Sequence, residues 1–303
     1  MKKYIFILFV ILFTGTAFFV SCKNSENKET ILKGTVAILV DESIQPIVED
    51  VQAVFESKYD AKLTLLPKSE KEAILDLAND KAKIIVLSRR LNEEENKLFK
   101  QKKITPRETF FATDAIAFIK NKSTNDTIIN LSDVIDFMKG KKNSIKGLVF
   151  DNPNSSTVKY MDSLAGLSEI PKEGVFSFKT NDEVIRYVEK NPGMIGVVGI
   201  NWLSQPKPES QKIVDNLIIL SVKNNNGTDY FFPSQENIAT KQYPLARDLF
   251  IINCQGYEGL GMGFSSFISG EIGQRIILKS GLAPFKVPSR KLIIRNQIEK
   301  ESK

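Results

Sequence analysis

The sequence predicts an α/β fold in which a mostly parallel sheet is covered by helices. Short apolar runs at 35–40, 62–66 and 83–87 each lead into a stretch with helical spacing, and the same alternation returns between 147 and 222. Strand–helix–strand order at this spacing is typical of a parallel sheet with helices on both faces. The length of 303 residues adds the expectation of about two domains.

Capping residues and apolar periodicity locate several helices. Residues 44–59 carry apolar side chains at helical spacing, with Pro46 in the first turn, where proline is tolerated. Three polar residues are each followed by glutamate three positions later, the pattern of a capping box. These pairs are Ser69–Glu72, Asn92–Glu95 and Thr180–Glu183. Near the C-terminus, 263–284 reads as two amphipathic helices divided at Gly270.

The N-terminus predicts export and attachment to a membrane. Residues 1–21 contain two lysines, an apolar run and a small residue, the pattern of a secretory signal, and the run is short for a membrane span. Cys22 then stands where a lipoprotein cysteine takes its lipid, and 22–32 is expected to form a polar tether. The alternative is an uncleaved anchor. Both place the folded part outside the cytoplasm, on the periplasmic face or at the outer membrane.

The composition excludes several functions. The chain has no histidine, which removes Ser-His-Asp and Cys-His catalysis and zinc sites that use histidine. The formal net charge of +6 is a mild bias, without the dense basic patch of a nucleic-acid-binding protein. Cys254 lies in an apolar run and is expected to be a small buried hydrophobic residue. We therefore expect no metal and no nucleic-acid partner. We also expect a monomer without a cofactor.

Three loops follow predicted strands and run into predicted helices, at 41–43, 88–90 and 151–157. Ligands of open α/β sheets bind outside the carboxyl ends of the strands, and helix N-termini hold anions through unpaired backbone N–H groups. The loops supply hydroxyl groups, acids and the guanidinium groups of Arg89 and Arg90 for such a site. The candidate ligand-binding residues are Asp41, Ser43, Ser88, Arg89, Asp151, Ser155, Ser156 and Thr157.

Each of these residues also has a structural interpretation. Ser43 and Thr157 are N-cap candidates, and capping alone explains a hydroxyl at such positions. Arg89 and its neighbour can pair with Glu93 and Glu94 on the surface. The common placement of all three loops at strand ends favours a binding site.

Five segments, in order, resemble phosphate-binding proteins of the PstS type, the solute receptors of phosphate ABC transporters, and above all their lipoprotein branch in Bacteroidota. They read DESIQPIVEDVQAVFE, VLSRRLNEEE, FDNPNSSTVKYM, MIGVVGINWL, and YPLARDLFII with the later GFSSFISGEIGQRIILKSGLAP. The resemblance implies a type II periplasmic binding protein with two α/β lobes and two crossover strands, near 110–120 and 230–238. The implied division is signal 1–21, lipidated tether 22–32, lobe 1 at 33–112 and 233–288, lobe 2 at 113–232, and tail 289–303.

The resemblance also assigns site residues. Ser43, Ser88 and Arg89 match ligand-contacting positions, and Ser155, Ser156 and Thr157 occupy the places of an S-G-T motif. Two departures stand out, since Asp151 replaces the arginine of the R-x-x-G-S-G-T pattern and Ser156 replaces the glycine between its serine and threonine. Asp41 and Glu42 stand where small or hydroxyl residues are usual. These changes imply either a guest that carries a proton, such as hydrogen phosphate, or weaker binding, or a different ligand.

The leading hypothesis is an extracytoplasmic solute-binding lipoprotein that captures a small oxyanion, with phosphate as the first candidate, for an ABC permease or another envelope complex. A lipid-anchored scaffold or sensor with the same fold and a degenerate pocket is the alternative. An enzyme is the third hypothesis. Without histidine it would need paired carboxylates, for which Asp41, Glu42, Asp114 and Asp151 are available without a distinguishing spacing.

Overall fold

The structure is a computed structural model that describes residues 29–224 and 227–289. The predicted signal at 1–21, the lipidation site Cys22, most of the tether and the tail beyond Ser289 lie outside the described residues. Within the described ranges, no helix has the length and apolar character needed to span a membrane.

The strands alternate with helices as the sequence predicts. The strands are β1 Lys33–Asp41, β2 Asp60–Lys68, β3 Ile84–Leu87, β4 Arg107–Asn121, β5 Ile128–Asn130, β6 Leu148–Phe150, β7 Val175–Ser177, β8 Ile195–Gly199, β9 Leu217–Ile219, β10 Ser221–Lys223, β11 Tyr230–Phe231, β12 Ala246–Asn253 and β13 Ala283–Pro284. The helices are α1 Gln45–Lys58, α2 Glu70–Ala78, α3 Glu93–Gln101, α4 Leu131–Met138, α5 Ser156–Ala165, α6 Asn181–Lys190, α7 Asn201–Ser204, α8 Pro208–Val214, α9 Gln235–Ala239, α10 Leu260–Ser269 and α11 Glu271–Lys279.

The predicted capping boxes largely form. Both reciprocal contacts are present at Ser69 and at Asn92, so each satisfies N-terminal N–H groups of its helix. At α6 only half of the box forms, because the Thr180 hydroxyl accepts from Glu183 N while the Glu183 carboxylate accepts from Lys179 N instead. Local sequence is sufficient to position these helix starts.

One long sheet connects the two halves of the molecule, in the order β2-β1-β3-β12-β4-β8-β6-β7, with β13 and β9 also paired to β4. β1 pairs in parallel with β2 and β3, and β6 pairs in parallel with β7 and β8. The central strands are antiparallel, since β12 runs against both β3 and β4. The predicted α/β fold with mostly parallel outer strands is confirmed. We call the β1-β2-β3-β12 side lobe 1 and the β6-β7-β8 side lobe 2.

The strand β4 belongs to both lobes and forms the first crossover. Its first part, to Ala115, pairs with β12, and from Ile116 it pairs with β8. The second crossover, predicted as a strand at 230–238, is different. The strand β11 ends at Phe231 and the short helix α9 follows, because Pro233 has no N–H to donate and Ser234 caps the helix by accepting from Asn237 N at 3.2 Å.

Apolar clusters cover both faces of the lobe 1 sheet, and the larger cluster continues into lobe 2. On one face, Phe55 of α1 packs edge-on against Phe264 and Phe267 of α10, with ring centroids 5.5 and 5.2 Å apart. On the other face, Cys254 packs among apolar residues of β1, β3, α2 and α3. Burial raises the pKa of the Cys254 thiol to about 11, which confirms the prediction that this cysteine is a buried apolar residue.

The folded part of the chain begins a few residues before the predicted start at residue 33. The carboxylate of Glu29 accepts hydrogen bonds from Leu260 N at 2.6 Å and from Gln255 Nε2 at 2.9 Å, at the start of α10. A Cβ at Gly263 would lie 1.6 Å from the carbonyl oxygen of Ile31, so only glycine allows this approach. The segment 29–32, predicted to be part of the free tether, therefore packs against lobe 1.

Candidate binding site between the lobes

The loops at the carboxyl ends of β1 and β6 meet between the lobes. The Ser43 hydroxyl, after β1, lies 2.9 Å from the Ser156 hydroxyl at the start of α5, and both residues are buried. Neither Ser43 nor Thr157 acts as the predicted helix cap. Asp41 caps the turn at 42–44 by accepting from Ser43 N, and Ser155, rather than Thr157, caps α5 by accepting from Val158 N. The hydroxyls of Ser43 and Ser156 are thus free to face each other across the cleft.

Arg247 supplies the positive charge of this cluster, and it was not among the predicted site residues. It lies on β12, and Nη1 donates to Ser156 Oγ at 3.0 Å, while Nη2 and Nε donate to Asp114 Oδ2 at 2.9 and 3.3 Å. The side chain is only 2% exposed. Three of its five N–H groups are used, so the guanidinium keeps donors for a guest. In the sequence, Arg247 is recognisable as an arginine two positions before the apolar run 249–252, which lies in the central strand β12.

Three buried polar atoms beside this cluster have no hydrogen-bond partner among the described residues. They are Asp114 Oδ1, Thr157 Oγ1 and Asn201 Oδ1. Asn201 sits next to the cluster, since its Nδ2 donates to Ser43 O at 3.0 Å and to Asp114 Oδ2 at 3.4 Å. Buried polar groups are almost always paired, so this unused capacity is typical of a place that receives a guest or water.

Asp41, one of the predicted site residues, is buried within the same cluster. Its two carboxylate oxygens accept from Ser43 N at 3.1 Å and from Ser88 Oγ at 3.5 Å. Burial raises the pKa of Asp41, and the positive charge of Arg247 opposes that rise. The structure therefore brings Asp41, Ser43, Ser88 and Ser156 together.

Asp151 and Glu42 form a second pair of acids, one from each lobe. Asp151 Oδ1 accepts from Ser155 Oγ at 2.5 Å, and burial raises the Asp151 pKa to about 7. Glu42 accepts two hydrogen bonds from Asn181, and burial, reinforced by Asp151, raises its pKa to about 8. From the sequence, Glu42 is identified as a departure from the family pattern and as an available acid but not as a ligand-binding residue, and Asn181 is not identified.

Arg89 has no free hydrogen-bond donor for this cluster. All five of its N–H groups are used, by Glu70, Glu95 and the carbonyl of Arg90. The predicted surface partners Glu93 and Glu94 are replaced by Glu70 and Glu95. Glu70 is only 2% exposed, and a buried carboxylate requires a paired cation.

A polar contact closes the mouth of the cleft. Lys159 of lobe 2 donates to Glu70 of lobe 1 at 2.9 Å, and Lys71 N donates to Asn154 O at 3.3 Å. On another side, Trp202 Nε1 donates to Glu42 O at 3.3 Å beside a cavity of about 320 Å³. In the described structure the two lobes are therefore in contact on two sides of the cleft, and we call this arrangement the closed form.

The fold and the site together define a two-lobed binding protein with its polar site in the interlobe cleft. The chain matches the model of the PBP superfamily domain over residues 25–271, and it belongs to that superfamily of binding proteins. The resemblance inferred from the sequence segments is thereby confirmed at the level of family and fold. No curated protein sequence matches the chain significantly.

Solved structures with the same fold include three phosphate receptors. A Clostridium perfringens protein, described as a phosphate ABC transporter substrate-binding protein and solved with bound phosphate, is 21% identical, with a TM-score of 0.70 over 84% of this chain and 100% of its own. An ABC-type phosphate transport receptor from Vibrio cholerae is 19% identical, with a TM-score of 0.61 over 82% of this chain and 99% of its own. PstS from Borrelia burgdorferi is 22% identical, with a TM-score of 0.52 over 84% of this chain and 100% of its own.

Proposed function

We propose that this chain is an extracytoplasmic solute-binding lipoprotein that captures a small oxyanion, with phosphate as the first candidate, and delivers it to a membrane transport partner. One observation carries the proposal. The buried guanidinium of Arg247 meets the Ser156 hydroxyl of lobe 2, which in turn contacts the Ser43 hydroxyl of lobe 1. The phosphate bound by the Clostridium perfringens protein of the same fold supports the choice of guest.

The chemistry of these groups suits an oxyanion. A guanidinium binds oxyanions through charge-assisted hydrogen bonds, and serine hydroxyls add donors without adding charge. Backbone N–H groups at the start of α5 add a positive dipole end. Arg247 takes the role of the cation that the family motif places at the position of Asp151. The guest displaces the contact between Ser43 and Ser156, so binding requires the lobes to open and close around it.

The proposal includes no chemical reaction. The chain has no histidine, and its described cysteine is a buried thiol with a raised pKa. The acids considered for a paired-carboxylate enzyme are all engaged in hydrogen bonds inside the cleft. Asp41, Glu42, Asp114 and Asp151 accept these bonds from neighbouring serine, asparagine and arginine groups. The role that remains is binding.

A lipid-anchored scaffold or sensor is the second candidate. The observation that favours it is the charge of the cleft, where four buried acids surround one buried arginine. In either role we place the protein outside the cytoplasm, held to a membrane through Cys22 as a monomer. An ABC permease or another envelope complex would be its partner.

Thermal-shift measurements on the chain without residues 1–21, and with Cys22 replaced by serine, test the proposal. Phosphate, sulfate, arsenate, phosphonates and nucleotides are the ligands to compare. A ligand at about 100 times its dissociation constant adds roughly 2.7 kcal/mol of stability. We expect phosphate to stabilise the protein and Ser156→Trp to abolish that effect.

The matched control is Ser163→Trp, on the exposed face of the same helix α5, which should leave the effect intact. If no anion raises the thermal stability of the protein, the scaffold or sensor becomes the better supported function. Turnover of a phosphate ester or a glycoside contradicts the non-enzymatic assignment.

A further inference from the structure

One side chain, Asn181, joins acids from opposite lobes. Its Nδ2 donates to Glu42 Oε2 at 2.7 Å and to Asp151 Oδ2 at 3.1 Å, and its backbone N donates to Glu42 Oε1 at 3.0 Å. Its Oδ1 accepts from Gly199 N at 3.1 Å, which fixes the orientation of the amide. Asn181 and Asp151 are fully buried and Glu42 is 9% exposed. We call this arrangement of Glu42, Asn181 and Asp151 the acid clamp.

No cation contacts either acid of the clamp among the described residues. The groups that face it are Asp41 at the end of β1, which acts on both acids, and Arg247 on β12, which is hydrogen-bonded to Asp114 of β4. Glu70 of α2 acts on Asp41 but is itself paired with two cations, Arg89 and Lys159. Glu42 also lines the cavity of about 320 Å³, whose charged lining includes Asp50 of α1, Asp182 and Arg186 of α6, Glu209 of α8, and Lys207, which pairs with Glu49 at 3.6 Å. The two carboxylates of the clamp are therefore buried beside a third acid without a cation in contact with them.

Double ionisation of such a pair is disfavoured in a closed cleft. Removing a carboxylate from water disfavours its charged form, and a second carboxylate nearby disfavours it further. Burial is the largest cause for both groups, and it raises the Glu42 pKa from 4.5 to about 8 and the Asp151 pKa from 3.8 to about 7. When the lobes separate, Glu42 leaves Asn181 and Asp151, water reaches both acids, and each returns toward its ordinary pKa.

We propose that closing the two lobes takes up protons at the acid clamp, so that the cleft closes in mild acid and opens as the pH rises. The sign follows from the direction of the two shifts. The closed form holds more protons than the open form, so the closed fraction is favoured at low pH and is lost as the pH rises through the closed-state values. Each linked proton changes the ratio of closed to open forms by up to about tenfold per pH unit.

This inference shares with the proposed function only the identity of the ligand. Its test is carried out without ligand and is therefore independent of that function. Spin labels on Ala53→Cys of α1 and Lys212→Cys of α8 report the distance between the lobes, because both positions are exposed and lie on opposite lobes. Pulsed electron spin resonance then compares pH 6 with pH 9 on the chain without residues 1–21 and with Cys22→Ser. The buried thiol of Cys254 does not compete for the label.

The expected result is a larger share of short distances at pH 6 than at pH 9. The double variant Glu42→Gln with Asp151→Asn keeps the size of both side chains and should show the same distribution at both pH values. The single variant Glu42→Gln should show a reduced response, and it serves if the double variant fails to fold by circular dichroism. Glu209→Gln, an exposed acid on α8, is the matched control and should respond as the parent chain does.

Two outcomes overturn the proposal. One is a distance distribution in the parent chain that does not change between the two pH values. The other is an undiminished change in the Glu42→Gln variants. A phosphate titration of the same labelled protein separates this proposal from the proposed function. If phosphate does not bind at any pH while the pH response persists, the assignment of the guest fails and the acid clamp stands.

Discussion

Replacing Arg247 by methionine removes a buried positive charge while keeping a side chain of similar length. The Arg247 and Asp114 side chains are only 2% and 0% exposed, and two of the arginine nitrogens donate to one carboxylate oxygen. Removing one partner of a buried ion pair typically costs about 3–5 kcal/mol, because the other charge is left buried without compensation. We expect Arg247→Met to lower the free energy of unfolding at pH 7 by that amount.

Urea unfolding followed by circular dichroism measures this effect, and a double-mutant cycle assigns it to the pair. Adding Asp114→Asn should recover most of the loss, because the orphaned charge is removed while hydrogen-bond acceptors remain. The matched control is Arg275→Met, whose partner Glu271 is 51% exposed, and exposed ion pairs contribute at most about 1 kcal/mol. A loss of less than about 1 kcal/mol for Arg247→Met, or a double variant as unstable as the single one, refutes the reasoning.

Three further predictions concern the lobe 1 core and the ion pairs of Glu70. Phe264→Ala should cost about 3–5 kcal/mol in urea unfolding, because the ring is fully buried in the lobe 1 core, and a cost below about 1 kcal/mol contradicts that assignment. Lys159→Met should lower the free energy of unfolding by less than about 1 kcal/mol, since the Lys159 side chain is 42% exposed. Glu70→Ala should lower it by more, because Arg89 then loses one of its two carboxylate partners. Equal losses for the two variants contradict this reasoning. The Cys254 thiol should react with a thiol reagent at pH 8 only after unfolding, because burial raises its pKa to about 11, and fast reaction of the native protein contradicts its burial.

Features that depend on neighbouring residues were predictable from the sequence. The apolar run at 35–40 and the helical spacing of 44–59 place β1 and α1 close to their observed bounds. The capping pairs at Ser69 and Asn92 work because all their hydrogen bonds span three residues. The second crossover also had a local signal, because Pro233 ends a strand and Ser234 caps the helix that follows.

Features that depend on distant residues were not predictable in the same way. Arg247 meets Ser156 across 91 positions of the chain, and Asn181 meets Glu42 across 139, so no spacing in the sequence connects them. The partners of Arg89 illustrate the same difficulty in part, because Glu70 is 19 positions away, whereas Glu95 is only 6 positions away and adjoins the predicted Glu93 and Glu94. Family likeness identified the loops, while the choice of partners depends on how the lobes meet.

The shared strand β4 has a mechanical consequence. Its partner changes from β12 to β8 between Ala115 and Ile116, one residue after Asp114, which holds Arg247. A rotation of one lobe against the other would therefore have its axis beside Arg247. Small displacements of the guanidinium at this axis would become large displacements at the outer helices, which in the proposed function would form the surface that a membrane partner contacts.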